Sequence, residues 1–199
     1  MHVPLSRRGI RAGLRALGVI LALPFILIAK CEPRDRPRDT VFVLGGQSLA
    51  LVPGVIGNAA RAAYYRHTLA RFAPDAAVHF GSYFSKRGAR VAEGSGIGAY
   101  CVIGLADIGP GVRIASRVSI TSGLHHHGDA GGVGGPDRIE RVTIGAQSWI
   151  GEGALIGADV GARCVVGMGA VVIVPVPDDA TVLGNPARQI PAAHKRVSA

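Results

Sequence analysis

Residues 144–157 read IGAQSWIGEGALIG, with isoleucine at 144, 150 and 156 and glycine directly after each. A recurrence every six residues fits neither the 3.6-residue period of a helix nor the alternation of a half-buried strand. The same register carries outward. Aliphatic residues recur at Ile97, Ile103, Ile108, Ile114 and Ile120 on one side and at Val160 and Val166 on the other, with one short step at IGLAD and a slip after IGAD. A period sustained over so many units is an architecture rather than an isolated motif.

The physical reading is an all-β solenoid. Each unit supplies one short strand and a bend, three units close a triangular coil, and coils stack at the β spacing of about 4.8 Å, so the first slot of every unit fills a continuous core. The fifth slot also points inward and must be small; it holds Cys101, Val112, Val118, Leu124, Ser148, Ala154, Cys164 and Ala170. The two cysteines there read as small buried hydrophobes rather than nucleophiles. With Cys31 they make an odd count without paired spacing, which suits reduced thiols and no disulfide scaffold. Glycine in the second slot lets the corner close without a Cβ clash.

A chain of 199 residues suits one main domain, and 29 glycines with only 5% aromatic residues favour a regular, glycine-punctuated fold over an ordinary α/β globule. The formal charge of +9 is unevenly spread: residues 1–90 hold 14 of the 22 Lys and Arg but 4 of the 13 Asp and Glu. That excess flanks apolar segments, so the expected partner is an anionic membrane surface and not nucleic acid. Arg7, Arg8, Arg11 and Arg15 precede ALGVILALPFILIA, residues 16–29, which as a helix reaches about 21 Å, short of a hydrocarbon core of about 30 Å. A second uncharged run, residues 40–60, is interrupted by Gly45, Gly46, Pro53, Gly54 and Gly57. Basic residues border both runs on every side, which predicts a helical hairpin dipping into the inner leaflet with both ends cytoplasmic; a single span is the alternative. Residues 61–72, RAAYYRHTLARF, place Tyr64, Tyr65, Thr68, Leu69 and Phe72 on one helical face and Arg61, Arg66 and Arg71 elsewhere, as in a surface-lying amphipathic segment.

IGAQSWIGEGALIG, VGMGAVV and TVLGNPARQI together resemble the hexapeptide-repeat acyltransferases over about residues 90–190. The resemblance implies a left-handed parallel β-helix, acetyl-CoA as co-substrate, and a homotrimer with active sites between neighbouring subunits. The N-terminal run, including LALVPGVIG and RAAYYRHTL, is similar to that of membrane-associated members that modify surface polysaccharides. The expected layout is a helical membrane-associated region over residues 1–75, a left-handed β-helix domain over 76–190 with an extruded loop at 126–143, and a C-terminal tail at 191–199.

Residues 120–129, ITSGLHHHGD, interrupt the repeat, and nothing after His125 fits it until Ile144. Chemistry is expected where a loop leaves a rigid scaffold. Matching VSITSGLH onto the resembled enzymes places their catalytic histidine at His125, whose neutral imidazole would act as general base on an acceptor hydroxyl while backbone N–H groups stabilise the oxyanion. His127 is the alternative base, and His126 faces away from its neighbours in an extended strand. Zinc is the rival reading, but adjacent histidines alternate faces and cannot converge on one ion, and His79 and His194 offer no obvious partner, so no metal is expected. Asp129, Asp137, Glu140 and Glu152 are candidates for orienting the base, and Glu152 joins the histidines as a catalytic candidate. The resemblance further implies acyl-CoA contacts at Trp149, Gly167, Gly169 and Arg188, with Trp149 near the acyl group and Arg188 near the nucleotide. The implied function is O-acetylation of a sugar hydroxyl on a surface polysaccharide or lipid-linked precursor, at the cytoplasmic face of the inner membrane. N-acylation of an amino sugar and a non-catalytic β-helix scaffold at the membrane are the alternatives.

Overall fold

The computed structural model describes residues 7–33, 39–124, 128–129, 132–133 and 138–191. From Arg71 onward, strands of two or three residues wind into a parallel β-solenoid with three faces. Face A stacks Arg71–Phe72, Arg90–Val91, Ala106–Ile108 and Val142–Ile144, continued by single bridges at Val160 and Val176. Face B stacks Ala77–Val78, Gly96–Ile97, Arg113–Ile114, Trp149–Ile150, Val165–Val166 and Thr181–Leu183, and Arg188–Ile190 folds back antiparallel along its last strand. Face C stacks Tyr83–Phe84, Val102–Ile103, Ser119–Ile120, Leu155–Ile156 and Val171–Val172. The stacking begins well before the first repeat legible in the sequence, because Phe72, Val78, Phe84 and Val91 occupy core slots without the glycine that marks later units.

Every isoleucine or valine of the first slot is buried. In the fifth slot Cys101, Val112, Val118, Ser148, Ala154, Cys164 and Ala170 are buried as expected, and burial pushes the Cys101 thiol up. Leu124 departs from that pattern: it is half exposed and covers Gly157 from outside. A leucine is too large for the slot, so the coil opens there. The polar members are satisfied internally: Ser148 Oγ donates to the Gly161 carbonyl at 2.7 Å and accepts the Cys164 N–H at 2.9 Å.

Glycine serves two different ends at the corners. An ideal Cβ on Gly151, in the second slot, would lie 2.6 Å from the Met168 amide nitrogen of the next coil, so close stacking excludes any side chain. The fourth slot instead needs a left-handed backbone, which Gly111, Gly153 and Gly169 adopt readily and Tyr100, Arg117, Gln147, Arg163 and Asp179 adopt with φ between 56° and 61°. That geometry aims each N–H at the preceding coil, as Arg117 donates to Ala99 at 2.8 Å and Gly153 to Ser116 at 3.0 Å.

Three helices cover the first coil: α1, Arg7–Cys31; α2, Thr40–Ala50; and α3, Gly54–Thr68. Tyr65 packs on the core-facing rings of Phe72 and Phe84 at 6.1 and 4.8 Å, and Tyr64 stacks on Phe42 at 5.9 Å, so helices and solenoid share one core. Gly45 and Gly46 do not interrupt α2. Side chains there would strike the Tyr64 and Tyr65 hydroxyls, at 2.6 and 2.8 Å, and the glycines admit both rings. Residues 61–72 are not surface-lying, and Arg61 is fully buried. Its guanidinium donates to the carbonyls of Val78 (3.0 Å), Leu49 (2.8 Å) and Val52 (2.8 Å) and to Asn58 Oδ1 (2.6 Å). It meets the carbonyl end of α2, where partial negative charge stands in for a carboxylate; burial lowers its pKa.

The α1 helix is also longer than the apolar run suggests. Its stretch Ala12–Cys31, with mean hydropathy 2.2, is long and apolar enough to cross a membrane by length and composition, because the helix continues past Arg15 and Lys30. It packs on α3 with Gly18, Ala22, Ile26 and Ala29 buried on one side, and a Cβ on Gly18 would lie 2.6 Å from the Ala59 carbonyl carbon. Arg87 then ties the assembly together. It ion-pairs with Glu32, reaches Asp39 Oδ1 at 2.9 Å and donates to the Ala29 carbonyl at 3.3 Å. Glu32 in turn accepts the Val41 and Phe42 N–H groups at 2.9 and 3.1 Å, in the first turn of α2. Burial pushes Glu32 up, but those two amides and the Arg87 guanidinium outweigh it and hold the carboxyl below its usual range.

Candidate active site

The solenoid is interrupted at one corner. Ser119–Ile120 lies on face C and the chain next joins face A at Val142–Ile144, already paired with Ala106–Ile108 inside the range expected for the loop. Outgoing and returning limbs are clasped at their base: the buried Ser122 accepts the Glu140 N–H on its carbonyl at 2.9 Å and the Leu105 N–H on Oγ at 2.9 Å. Thr121 Oγ1 donates to the Gly123 carbonyl at 2.8 Å. Gly123 has φ +87°, and a Cβ there would lie 2.7 Å from that of Glu140, so the crossing of the limbs needs glycine. Farther out, Gly128–Asp129 pairs antiparallel with Gly132–Val133. The expected base His125 and its alternative His127, with His126 and Asp137, lie outside the described residues; His125 directly follows Leu124 in the chain.

The described rim of this corner is a cavity of about 220 Å³ bordered by Leu124, Glu140, Arg141, Asp159, Ile173 and Pro175. Arg141 is anchored toward face A by Asp107 Oδ1 at 2.5 Å and the Gly88 carbonyl at 3.0 Å, and Asp159 accepts the Thr143 N–H at 2.7 Å. Glu140 is exposed and makes no ion pair among the described residues, which leaves its carboxylate available to a group in the loop. Of the four carboxylates considered from sequence, it is the one that the described residues place at the loop base. Leu124 and Asp159 were not singled out as site residues by the pattern, although each had a signal: a leucine too large for its slot, and an aspartate in the shortened unit IGAD.

The remaining sequence-derived candidates stand elsewhere. Trp149 projects from the outer side of face B between Arg113 and Val165 and is 40% exposed. Glu152 sits at the corner between faces B and C, 3.5 Å from Arg117. Gly167 and Gly169 occupy the same corner one coil on, where Leu183 fills the space beside Gly167, and open solvent lies beside Gly169. Arg188 lies exposed on the antiparallel strand at the edge of face B, its Nη1 donating to the Ala187 carbonyl at 3.2 Å. Trp149, Gly167, Gly169 and Arg188 thus group along face B and its corner with C, whereas the loop leaves at the corner of C and A. Among the described residues, a single chain does not bring the two groups together.

The parallel three-faced solenoid with slot-one aliphatics and close-packing glycines matches the left-handed β-helix fold found in hexapeptide-repeat acetyltransferases of known structure. No protein-family model matches the chain. Over 117 residues, 57% of the chain, it is 30% identical to the bifunctional protein GlmU of Paracoccus denitrificans, of whose length the match spans 23%. Among solved structures, a hexapeptide-repeat-containing acetyltransferase from Vibrio cholerae superimposes with TM-score 0.60 at 21% identity, covering 90% of both chains. A maltose O-acetyltransferase from Clostridium difficile gives TM-score 0.55 at 19% identity, covering 89% of this chain and 87% of its own. These likenesses establish the fold.

Proposed function

We propose that the protein is an acetyl-CoA-dependent O-acetyltransferase acting on a sugar hydroxyl of a surface polysaccharide or its lipid-linked precursor. The observation that carries this reading is the clasped break in the solenoid, where the chain opens onto a cavity and runs directly into His125. In this mechanism His125, or in its stead His127, takes the proton from the acceptor oxygen as that oxygen attacks the thioester carbonyl. The tetrahedral oxyanion, held by backbone N–H groups, collapses to the new ester, and the departing coenzyme A thiolate takes the proton back from the imidazolium. Glu140, or Glu152 of a neighbouring copy, orients the imidazole. Trp149, Gly167, Gly169 and Arg188 take the acyl-CoA along face B. Because those residues and the loop base occupy different sides of the prism, the complete site needs face B of one subunit against the loop of the next, which a homotrimer supplies. The apolar α1 helix holds the enzyme at the cytoplasmic face of the membrane.

The test is transfer from radiolabelled acetyl-CoA to membrane glycans of cells lacking the protein. Label released by mild alkali is an ester and supports O-transfer; alkali-stable label is an amide and assigns the amino-sugar reading. Failure to bind coenzyme A assigns the non-catalytic scaffold instead. His125→Ala should lower turnover by roughly 10²–10⁴, with the melting transition and coenzyme A affinity unchanged and His126→Ala close to silent. A dead His127 variant beside a normal His125 variant would transfer the base role to His127.

A further inference from the structure

We infer that the molecule stands end-on at a bilayer, seated on the outer side of α1, and that its acceptor is a glycan several sugars long rather than a sugar attached directly to lipid; the acceptor half rests on the acyltransferase reading above. The helix has two unlike sides. Gly18, Ala22, Ile26 and Ala29 form the buried side, and the opposite side leaves Leu17, Ile20, Leu23, Leu27 and Ile28 exposed, with Ile20 66% accessible. No charged residue interrupts that strip between Arg15 and Lys30, which are both exposed. An uncovered apolar strip of about 21 Å bracketed by cations matches a bilayer interface with anionic headgroups, which supplies hydrocarbon to the leucines and negative charge to both ends.

The packing disfavours a span. The α1 helix docks along α3, so crossing hydrocarbon would either strip it from that partner or draw Asn58, Arg66 and His67 of α3 into lipid. It also sets the direction of the solenoid. Ala59, which meets Gly18, and Arg61 and Tyr65, which enter the first coil, lie on opposite sides of α3 at about 100° per residue. At the Gly18 end the order away from α1 is therefore α3, the first coil, and then the later coils, while at the Ala29 end Arg87 of the first coil meets α1 directly. One to two layer spacings of about 9 Å and two to three coil rises of about 4.8 Å place the base of the loop about 20–30 Å from the α1 axis. With α1 half sunk in the headgroups, a sugar linked directly to lipid does not reach that height, and a longer glycan does.

The test uses the full chain with Cys31→Ser and a single labelled cysteine at Arg71, Arg138 or Asp178, all exposed, since Cys101 and Cys164 are buried. On vesicles of phosphatidylcholine with phosphatidylglycerol carrying headgroup-labelled lipid, energy transfer should be strongest from position 71, weaker from 138 and weakest from 178. Equal transfer from all three, meaning a molecule lying on its side, overturns the inference. Ile20→Asp with Leu27→Asp should lower vesicle affinity by about tenfold or more; unchanged binding overturns it, as does a lipid-free oligomer that the double variant dissolves, which would assign the strip to a second copy. None of these readouts needs acyl transfer, so they stand if the enzymatic reading fails. Acetylation of a lipid-linked monosaccharide as fast as a lipid-linked oligosaccharide would overturn the acceptor half alone.

Discussion

Arg61 is a buried cation with no carboxylate partner among the described residues, and replacing it with methionine isolates what its hydrogen bonds contribute while nearly preserving volume. Leu49 and Ala50 each keep another donor, the Val52 N–H at 3.2 Å and the Gly81 N–H at 2.9 Å. The loss therefore falls on the carbonyls of Val52 and Val78 and on Asn58 Oδ1. A buried acceptor left unsatisfied costs about 1–3 kcal/mol, and relief from burying a charge offsets part of the total. The expected net destabilisation is about 3 kcal/mol, with Arg61→Lys intermediate because an ammonium reaches fewer of these oxygens. Because Arg61 joins α2, α3 and the first coil, the loss should appear first in the helices. Denaturant unfolding followed by the near-UV signal of Tyr64 and Tyr65 should shift to lower denaturant, and Trp149, the single tryptophan, reports the fourth coil separately. An Arg61→Met protein within about 0.5 kcal/mol of wild type would refute the argument.

Glu32 has a folded pKa below its ordinary value, so it contributes stability above that ordinary value which is lost as pH falls through the depressed one. The protection of α2 amides against exchange, taken relative to the intrinsic rate at each pH, should fall as the pH is lowered below the ordinary glutamate pKa of about 4.3, and Glu32→Gln should weaken the helices at neutral pH while flattening that dependence. Gly151→Ala forces a methyl against the Met168 backbone and should cost about 3 kcal/mol, whereas Gly153→Ala, with open space and φ +71°, should cost about 1 kcal/mol; equal melting temperatures for the two would contradict the division of glycine roles between slots. Sedimentation in detergent should give a three-chain species, and a monomer retaining full acyl transfer would contradict the shared site. Mixing a His125→Ala protein with an Arg188→Ala protein should restore part of the activity that each lacks, because a mixed trimer contains some sites with both residues intact.

The solenoid was legible in sequence because its cause is periodic: each coil buries an aliphatic in the same slot and needs glycine where the next backbone passes within contact distance, as at Gly151. The location of the break was legible for the same reason, since a repeat that stops after His125 announces a departure from the coil. The first coil was not, because Phe72 and Phe84 face a helical cap instead of another coil and carry no glycine signature. Nor was the burial of Arg61, a residue whose charge assigns it to the surface until α2 is seen to aim its terminal carbonyls at it. Local pattern thus determined which residues line the core and where the chain leaves it. The side of the prism on which each outward residue stands depends on coil lengths and corner positions summed along the chain, so only the tertiary structure separated Trp149 and Arg188 from the base of the loop.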